Sequence, residues 1–286
     1  MINFDESLQQ LIAAALKEDA GSGDHSTLSC ILPGAKGKAV LLVKQDGIMA
    51  GIAVAEKIFK FREENCLFKM YKKDGEKITA GDKGFEIEAS VHTILLCERL
   101  VLNCMQRMSG IATLTRQYVD VIKNYNTKIL DTRKTTPNFR LLEKEAVRIG
   151  GGMNHRFGLY DMIMLKDNHI DYCGGIEKAI EKAHEYIQKN KLDLKVEVET
   201  RNIEDVKIEA ASGNGKVFRI MLDNFNPGQI NDALKIIDGK FETEASGGIN
   251  LDNIEAYAKT GVDFISVGAL IHQAKSLDMS LKAVMV

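Results

Sequence analysis

What this 286-residue chain lacks narrows its function before any motif is read. No uncharged apolar run reaches the ~18 residues that a membrane-spanning helix needs. The formal net charge is only −2 and the pI near 6.3, so the electrostatic footprint of a nucleic-acid binder is missing. The five cysteines (Cys30, Cys66, Cys97, Cys104, Cys173) are odd in number and form no CxxC pair, which points to reduced thiols. Asp5, Glu6, Lys17, Glu18 and Asp19 crowd the N-terminal stretch, leaving no signal-peptide h-region. The expectation is a soluble, cytoplasmic protein. With only three prolines and no low-complexity linker, nothing announces a domain boundary. The length admits one large domain, or a large one with a smaller companion.

The texture nevertheless changes near residue 110. Before it come a helix (about 5–17), β-type segments such as Lys38–Lys44 and Phe85–Ala89, and the turn pairs Asp46-Gly47, Asp74-Gly75 and Gly81-Asp82. A helical pattern then runs from about 92 through 108, ending at Gly110. After it, six β-rich runs alternate with helical patterns. They are Lys128–Thr132, Met162–Leu165, Leu194–Thr200, Val217–Leu222, Phe241–Ala245 and Phe264–Val267. Such spacing predicts βα units and a parallel sheet, closed as a barrel or open and doubly wound. No GxGxxG follows the first run, which weighs against a dinucleotide-binding open sheet and favours a barrel.

Strand parity sharpens the reading. Lys195, Glu197 and Glu199 share one face of their strand, as do Arg219, Met221 and Asp223, and Glu242, Glu244 and Ser246. The alternate apolar residues must face the helices, so the polar sets point into the barrel. Lone buried charges are very costly, so Lys195 and Arg219 should pair with Glu197, Glu242 or Glu244. The last inward residue of each strand lies at the C-terminal mouth, where barrel enzymes work. That rule selects Glu199, Asp223 and Ser246, with Arg133 and Lys166 from the first two strands.

The stretch beginning at Asp131 reads DTRKTTPNFRLLEKEAVRIGGGMNHRFGLYDMIMLKDNHI. It sets Arg133, Lys134, His155, Arg156 and Lys166 at strand ends or in glycine-rich turns, around Gly150-Gly151-Gly152. Cations at such junctions point to a small, highly anionic substrate. The glycines could cap a helix or admit a ligand close to the backbone. His155 reads equally as an anion donor or as a satisfied structural histidine. Lys166 could be a charge clamp or a Schiff-base nucleophile. Glu199 and Asp223 could hold Mg²⁺ together with substrate phosphates, or each could pair with a neighbouring cation. Ser246-Gly247-Gly248 and Val267-Gly268-Ala269 follow the last two strands and expose backbone N–H groups where such barrels hold phosphate.

These residues carry a resemblance. The stretch from Asp131 resembles the core signature of the quinolinate phosphoribosyltransferases. So do GDHST at 23–27, ERLVLNCMQRMSGIAT at 98–113, VEVET at 196–200, MLDN at 221–224, EASGGI at 244–249 and ISVGAL at 265–270. Together they cover nearly the whole chain in order. Phe139 and His25 are mild departures that touch no proposed ligand contact. The resemblance implies an α/β fold with an N-terminal α/β sandwich (1–110) and an incomplete α/β barrel of type II phosphoribosyltransferase kind (111–270). Residues 271–286 would pack back on the first domain. It further implies phosphoribosyl transfer from 5-phosphoribosyl 1-diphosphate to quinolinate with decarboxylation, Mg²⁺, and a homodimer, or a higher oligomer, with shared sites. In that scheme Arg99 crosses from the partner subunit to the quinolinate carboxylates. Thr132, Arg133, His155, Arg156 and Lys166 line the same pocket, and Lys134 reaches toward phosphate. Glu199 and Asp223 meet the ribose hydroxyls and the metal–diphosphate, while Ser246, Gly247 and Gly248 with Val267, Gly268 and Ala269 hold the 5′-phosphate. The rivals are a molybdate-locus paralogue of the same fold, nicotinate phosphoribosyltransferase, a Lys166 Schiff-base aldolase and a non-catalytic phosphate sensor.

Overall fold

The computed structural model describes residues 3–284. Its strands are β1 (Lys36–Val43), β2 (Gly47–Ile48), β3 (Leu67–Met70), β4 (Lys77–Ile78), β5 (Lys83–Ser90), β6 (Lys128–Leu130), β7 (Ile163–Leu165), β8 (Val196–Thr200), β9 (Arg219–Asp223), β10 (Glu242–Ser246), β11 (Phe264–Ser266) and β12 (Met279–Val284). The chain divides into two compact units. One runs up to Arg116 and takes in Thr135–Gly151 and the segment from Leu270 on; the other holds Gln117–Lys134 and Gly152–Ala269.

In the first unit an antiparallel sheet, ordered β12-β1-β5-β3, is accompanied by the short β2-β4 ladder. The helix Ile52–Arg62 buries Ile58 and Phe59, and Phe59 meets Phe85 of β5 edge-on at 6.0 Å. Phe68 of β3 stacks on Phe85 at 4.6 Å, so one aromatic cluster joins helix to sheet. The helical pattern expected to stop at Gly110 continues instead, from Val91 to Val121. Gly110 is there for another reason: a Cβ would lie 2.1 Å from the Lys275 carbonyl oxygen, so only glycine lets that segment cross the helix. Arg107 fastens the crossing, donating to the carbonyls of Ala274 at 2.9 Å and Ile271 at 2.8 Å, and pairing with buried Glu143 at 2.8 Å.

Glu63 closes one end of this unit. It accepts from Lys36 Nζ at 2.7 Å and from the Ser90 amide at 3.0 Å. The Lys36 hydrogen bond leads in holding its pKa down at about 2, against an ordinary 4.5. Its stabilisation is therefore present above pH 4.5 and lost as pH falls through about 2. Glu63→Gln is expected to cost about 1 kcal/mol at pH 7, well below the nominal linkage value because Lys36 is solvent-exposed. Urea unfolding at pH 7 and pH 2.5 checks this, since the difference should shrink at the lower pH.

The second unit is a six-stranded parallel sheet ordered β6-β11-β10-β9-β8-β7, with no ladder joining β6 to β7 among the described residues. This is the incomplete barrel. Short βα turns are favoured by side-chain caps: Asn202 accepts from the Asp205 amide at 2.9 Å to start the helix Ile203–Ser212. Asn226 and Gln229 form a capping box, with Pro227 at the first turn of Pro227–Ile237. Register sets Glu197, Arg219 and Glu242 side by side on neighbouring strands. One step along, Glu199 pairs with Met221 and Met221 with Glu244; at the mouth Asp223 lies beside Ser246. Arg219 does pair inside the sheet, with Glu242 at 2.8 Å, Glu244 at 2.9 Å and Glu197 at 3.6 Å. Lys195 departs from expectation. It precedes β8, is exposed, and sits 3.6 Å over the Phe218 ring rather than against a glutamate.

Candidate active site

The carboxyl ends of the six parallel strands gather almost all the expected site residues. Thr132 and Arg133 follow β6, Lys166 follows β7, Glu199 and Asp223 sit in the last turns of β8 and β9, Ser246 ends β10, and Val267 follows β11. Lys166 Nζ lies 2.6 Å from Glu199 Oε2, an ion pair at the mouth. Among the described residues no cation pairs with Asp223. Its Oδ1 accepts from Ser246 Oγ at 2.5 Å and its Oδ2 from Asn224 Nδ2 at 2.6 Å. Asn224 is itself left-handed (φ 60), and its amide donates to the Ser246 carbonyl at 2.8 Å. A Cβ on Gly247 would lie 2.2 Å from Asn224 Oδ1, whereas one on Gly248 would meet nothing within 4 Å. The first glycine is required by packing; the second presents backbone to open space, as an anion site needs. Lys134 is exposed, its amide donating to Thr132 Oγ1 at 3.0 Å. Arg99 belongs to the first unit, exposed on the helix Val91–Val121.

The Asn154–His155–Arg156 segment is tied down from below. Buried Asp131 accepts from the His155 amide at 2.8 Å and from Asn154 Nδ2 at 2.6 Å. The His155 ring is nearly closed off, its side chain only 5% exposed. Its Nε2 lies 3.1 Å from Glu197 Oε2 and 3.2 Å from Glu244 Oε2, while Nδ1 accepts from the Arg156 amide at 2.7 Å. Burial opposes charge on the ring, but Glu197 and Glu244 outweigh it and push its pKa up to about 9. A second ring proton would have to sit on Nδ1, against the Arg156 amide. Burial, and then Glu244, push the Glu197 carboxyl up as well. A proton on Glu197 gives the same net charge and keeps every contact, and that is the arrangement we assign. Burial and then the nearby Arg133 hold Arg156 below the ordinary arginine value, and its Nη1 donates to the Met162 carbonyl at 3.2 Å.

The triple glycine serves packing and capping. Gly151 is the left-handed cap of the helix Arg140–Gly150, and a Cβ on Gly150 would lie 2.6 Å from the Ala112 carbonyl oxygen. His169 shapes the turn after β7, its Nδ1 accepting from the Lys166 amide at 3.0 Å. For a divalent cation, the hard oxygens of Asp223 fit, since two neutral donors hold that carboxylate. Glu199 would have to share its carboxylate with Lys166. The converging atoms of His155, Glu197 and Glu244 could in principle ligate a metal, but Arg219 already supplies a cation there.

The sequence matches "Quinolinate phosphoribosyl transferase, N-terminal domain" over residues 24–109 and "Quinolinate phosphoribosyl transferase, C-terminal domain" over 111–282. The chain belongs to the quinolinate phosphoribosyltransferase family. It is 44% identical over 288 residues to the quinolinate phosphoribosyltransferase [decarboxylating] 2, mitochondrial, of Nicotiana glauca, covering 96% of this chain and 82% of that protein. It is 43% identical over 274 residues to a probable nicotinate-nucleotide pyrophosphorylase [carboxylating] of Bacillus subtilis, covering 96% and 92%. Among solved structures, NadC from Streptococcus pyogenes superposes with a TM-score of 0.88 at 42% identity, covering 96% of each chain. The quinolinate phosphoribosyltransferase match thus spans both units, and the α/β architecture expected from the motifs is that of these relatives. No finding favours the aldolase or the molybdate-locus paralogue.

Family membership leaves the work of single residues to geometry. Asn154 stands out in the sequence only as part of a segment that could approach a ligand, and Asp131, which anchors that segment, does not stand out at all. An acid directly before Thr132-Arg133 at a strand end was the available signal. A buried carboxylate there has no use except to accept hydrogen bonds.

Proposed function

We propose that the protein transfers the phosphoribosyl group of 5-phosphoribosyl 1-diphosphate to quinolinate and releases diphosphate and CO₂, leaving nicotinate mononucleotide for NAD biosynthesis. The observation that carries this reading is the joint presence of cations and carboxylates on one strand-end mouth. Arg133 and Lys166 follow β6 and β7, Arg156 lies in the 154–156 segment, and Glu199 and Asp223 lie at the carboxyl ends of β8 and β9, which supports the reading. Quinolinate brings two carboxylates, which planar guanidinium groups bind in bidentate fashion. Departure of diphosphate from the anomeric carbon leaves positive charge on the ribose ring, and Glu199 and Asp223 set negative potential beside it. Mg²⁺, held at Asp223 together with substrate oxygens, would neutralise the leaving diphosphate. Gly247, Gly248, Gly268 and Ala269 offer main-chain N–H groups to the 5′-phosphate, whereas the Val267 N–H is taken by the Leu130 carbonyl at 3.0 Å. After transfer the quaternised pyridinium is an electron sink for loss of the adjacent carboxylate, so the chain needs only to hold the ring in place.

The assay is release of diphosphate and CO₂ with 5-phosphoribosyl 1-diphosphate and Mg²⁺, quinolinate against nicotinate. Quinolinate turnover with one CO₂ per diphosphate supports the reading; turnover of neither acceptor overturns it.

We further propose a homodimer in which Arg99 serves the partner's site. Arg99→Ala is expected to raise quinolinate KM about tenfold, the loss of one charged hydrogen-bonding contact. Mixed dimers of Arg99→Ala and Lys166→Ala subunits should regain part of the wild-type rate, because one of their two sites has both residues. Mixed dimers no better than the parents would sink the shared site. Among the described residues no helix is long and apolar enough to cross a membrane. The five unpaired cysteines support a reducing, cytoplasmic setting.

A further inference from the structure

The loops after β6 and β11 leave neighbouring strands. The two pair in parallel, and the Val267 amide donates to the Leu130 carbonyl at 3.0 Å. From β6 the chain runs to the exposed cation Lys134; from β11 it runs to Gly268 and Ala269. The run Thr132–Asn138 contains no helix or strand, so its main-chain groups need other partners. One buried carboxylate supplies them. Glu143 Oε2 accepts from the Thr136 amide at 2.8 Å, and Oε1 from Thr136 Oγ1 at 3.0 Å. The same Oε1 accepts from Arg107 Nε at 3.0 Å and Nη2 at 2.8 Å. Arg107 also donates from Nη1 to the Ala274 carbonyl and from Nη2 to that of Ile271. Thr136 stands two residues past Lys134, and Ile271 two past Ala269. One ion pair thus fastens both loops close to the groups that would meet anions. A buried ion pair often gives no more stability than apolar residues of equal volume, so the use of this one lies in the geometry its fork fixes.

We propose that Arg107 and Glu143 are positioning residues, which set the spacing between Lys134 and the Gly268–Ala269 main chain and so match the two phosphate ends of 5-phosphoribosyl 1-diphosphate. This rests on the function proposed above and adds what holds its anion-binding groups at one separation. A donor with phosphate at each end gains from both groups only when their separation fits its length. Inorganic diphosphate, a one-ended ligand, needs no such match.

The donor KM, the quinolinate KM, kcat and the inhibition constant of inorganic diphosphate are measured for Arg107→Lys, Thr136→Val and Thr136→Ser, with unfolding midpoints on each. Lysine keeps a charge toward Glu143 but cannot reach the carboxylate and both carbonyls at once. Arg107→Lys is expected to raise the donor KM about tenfold and Thr136→Val about threefold, as loss of placed hydrogen bonds should. The other three constants should stay within about twofold, because spacing alone has changed. Thr136→Ser keeps the hydroxyl and should match the wild type. Combining Arg107→Lys with Thr136→Val should cost less than the product of the single effects, since both sets of bonds end on Glu143 Oε1. An unmoved donor KM, a diphosphate inhibition constant that rises in step with it, or a Thr136→Ser variant as impaired as Thr136→Val would overturn the proposal. If Arg107→Lys does not fold, the two Thr136 variants decide alone. A wild-type protein that turns over neither quinolinate nor nicotinate would instead overturn the function, and the proposal with it.

Discussion

Arg219→Met is expected to destabilise the protein by about 3–5 kcal/mol at pH 7, the usual cost of removing one partner from a buried ion cluster. Arg219 reaches Glu242, Glu244 and Glu197 on the flanking strands and stacks 4.1 Å from the Phe264 ring. Methionine would fill similar volume against that ring, so the cost falls on charge rather than on a cavity. Glu197 and Glu244 are fully buried, and the charge on Glu244 would lose the guanidinium that pairs with it at 2.9 Å. The pH dependence separates this account from a packing defect. Burial works against the Glu244 charge, yet His155 and Arg219 outweigh it and hold the carboxyl below its ordinary 4.5. Its contribution is therefore present above that value and lost as pH falls through the lower folded pKa. Without Arg219 the folded carboxyl shifts upward, so the variant's deficit should be full at pH 7 and shrink toward pH 4.5. Urea unfolding across that range checks it; a deficit that does not change with pH would mean the loss is packing.

The same cluster shows how far the sequence could be read. Alternation of charged and apolar residues in VEVET, RIMLD and ETEAS was enough to put Glu197, Arg219 and Glu244 on one interior face. Period-2 geometry leaves no other choice once helices cover the opposite face. The pairing partners of Arg219 followed from the cost of lone buried charge. Lys195 escaped the rule because it precedes β8 by one residue, where the strand no longer imposes its face. Gly110 misled for a related reason: glycine as helix terminator is a local signal, and the crossing of Lys275 that demands it lies 165 positions away in sequence. His155 was undecidable locally, since its two carboxylate partners come from strands far along the chain. Asp131 went unnoticed because a single acid before a cationic motif has no periodicity to mark it.

At the mouth, Asp223→Asn is expected to lower kcat by about 10²–10³, the range for losing one preorganised electrostatic group beside developing charge. The amide matches the carboxylate in shape, and its oxygen can still accept from Ser246 Oγ, which now donates at 2.5 Å. Asn224 can turn its own amide to accept from the new NH₂, so the clasp on Gly247 survives. What disappears is one negative charge, together with the oxygen best suited to a hard cation. Both losses act on the state in which the anomeric carbon is most positive and the diphosphate most negative, so kcat should fall more than either KM rises. Ser246→Ala is the control. It removes the hydrogen bond and keeps the charge, and should cost about tenfold or less. Steady-state kinetics on the two variants decide between charge and clasp. A Ser246→Ala loss as large as that of Asp223→Asn would show that Asp223 matters for the shape of the turn. An Asp223→Asn kcat within threefold of wild type would take it out of the reacting centre and leave the negative potential there to Glu199, which Lys166 already shares.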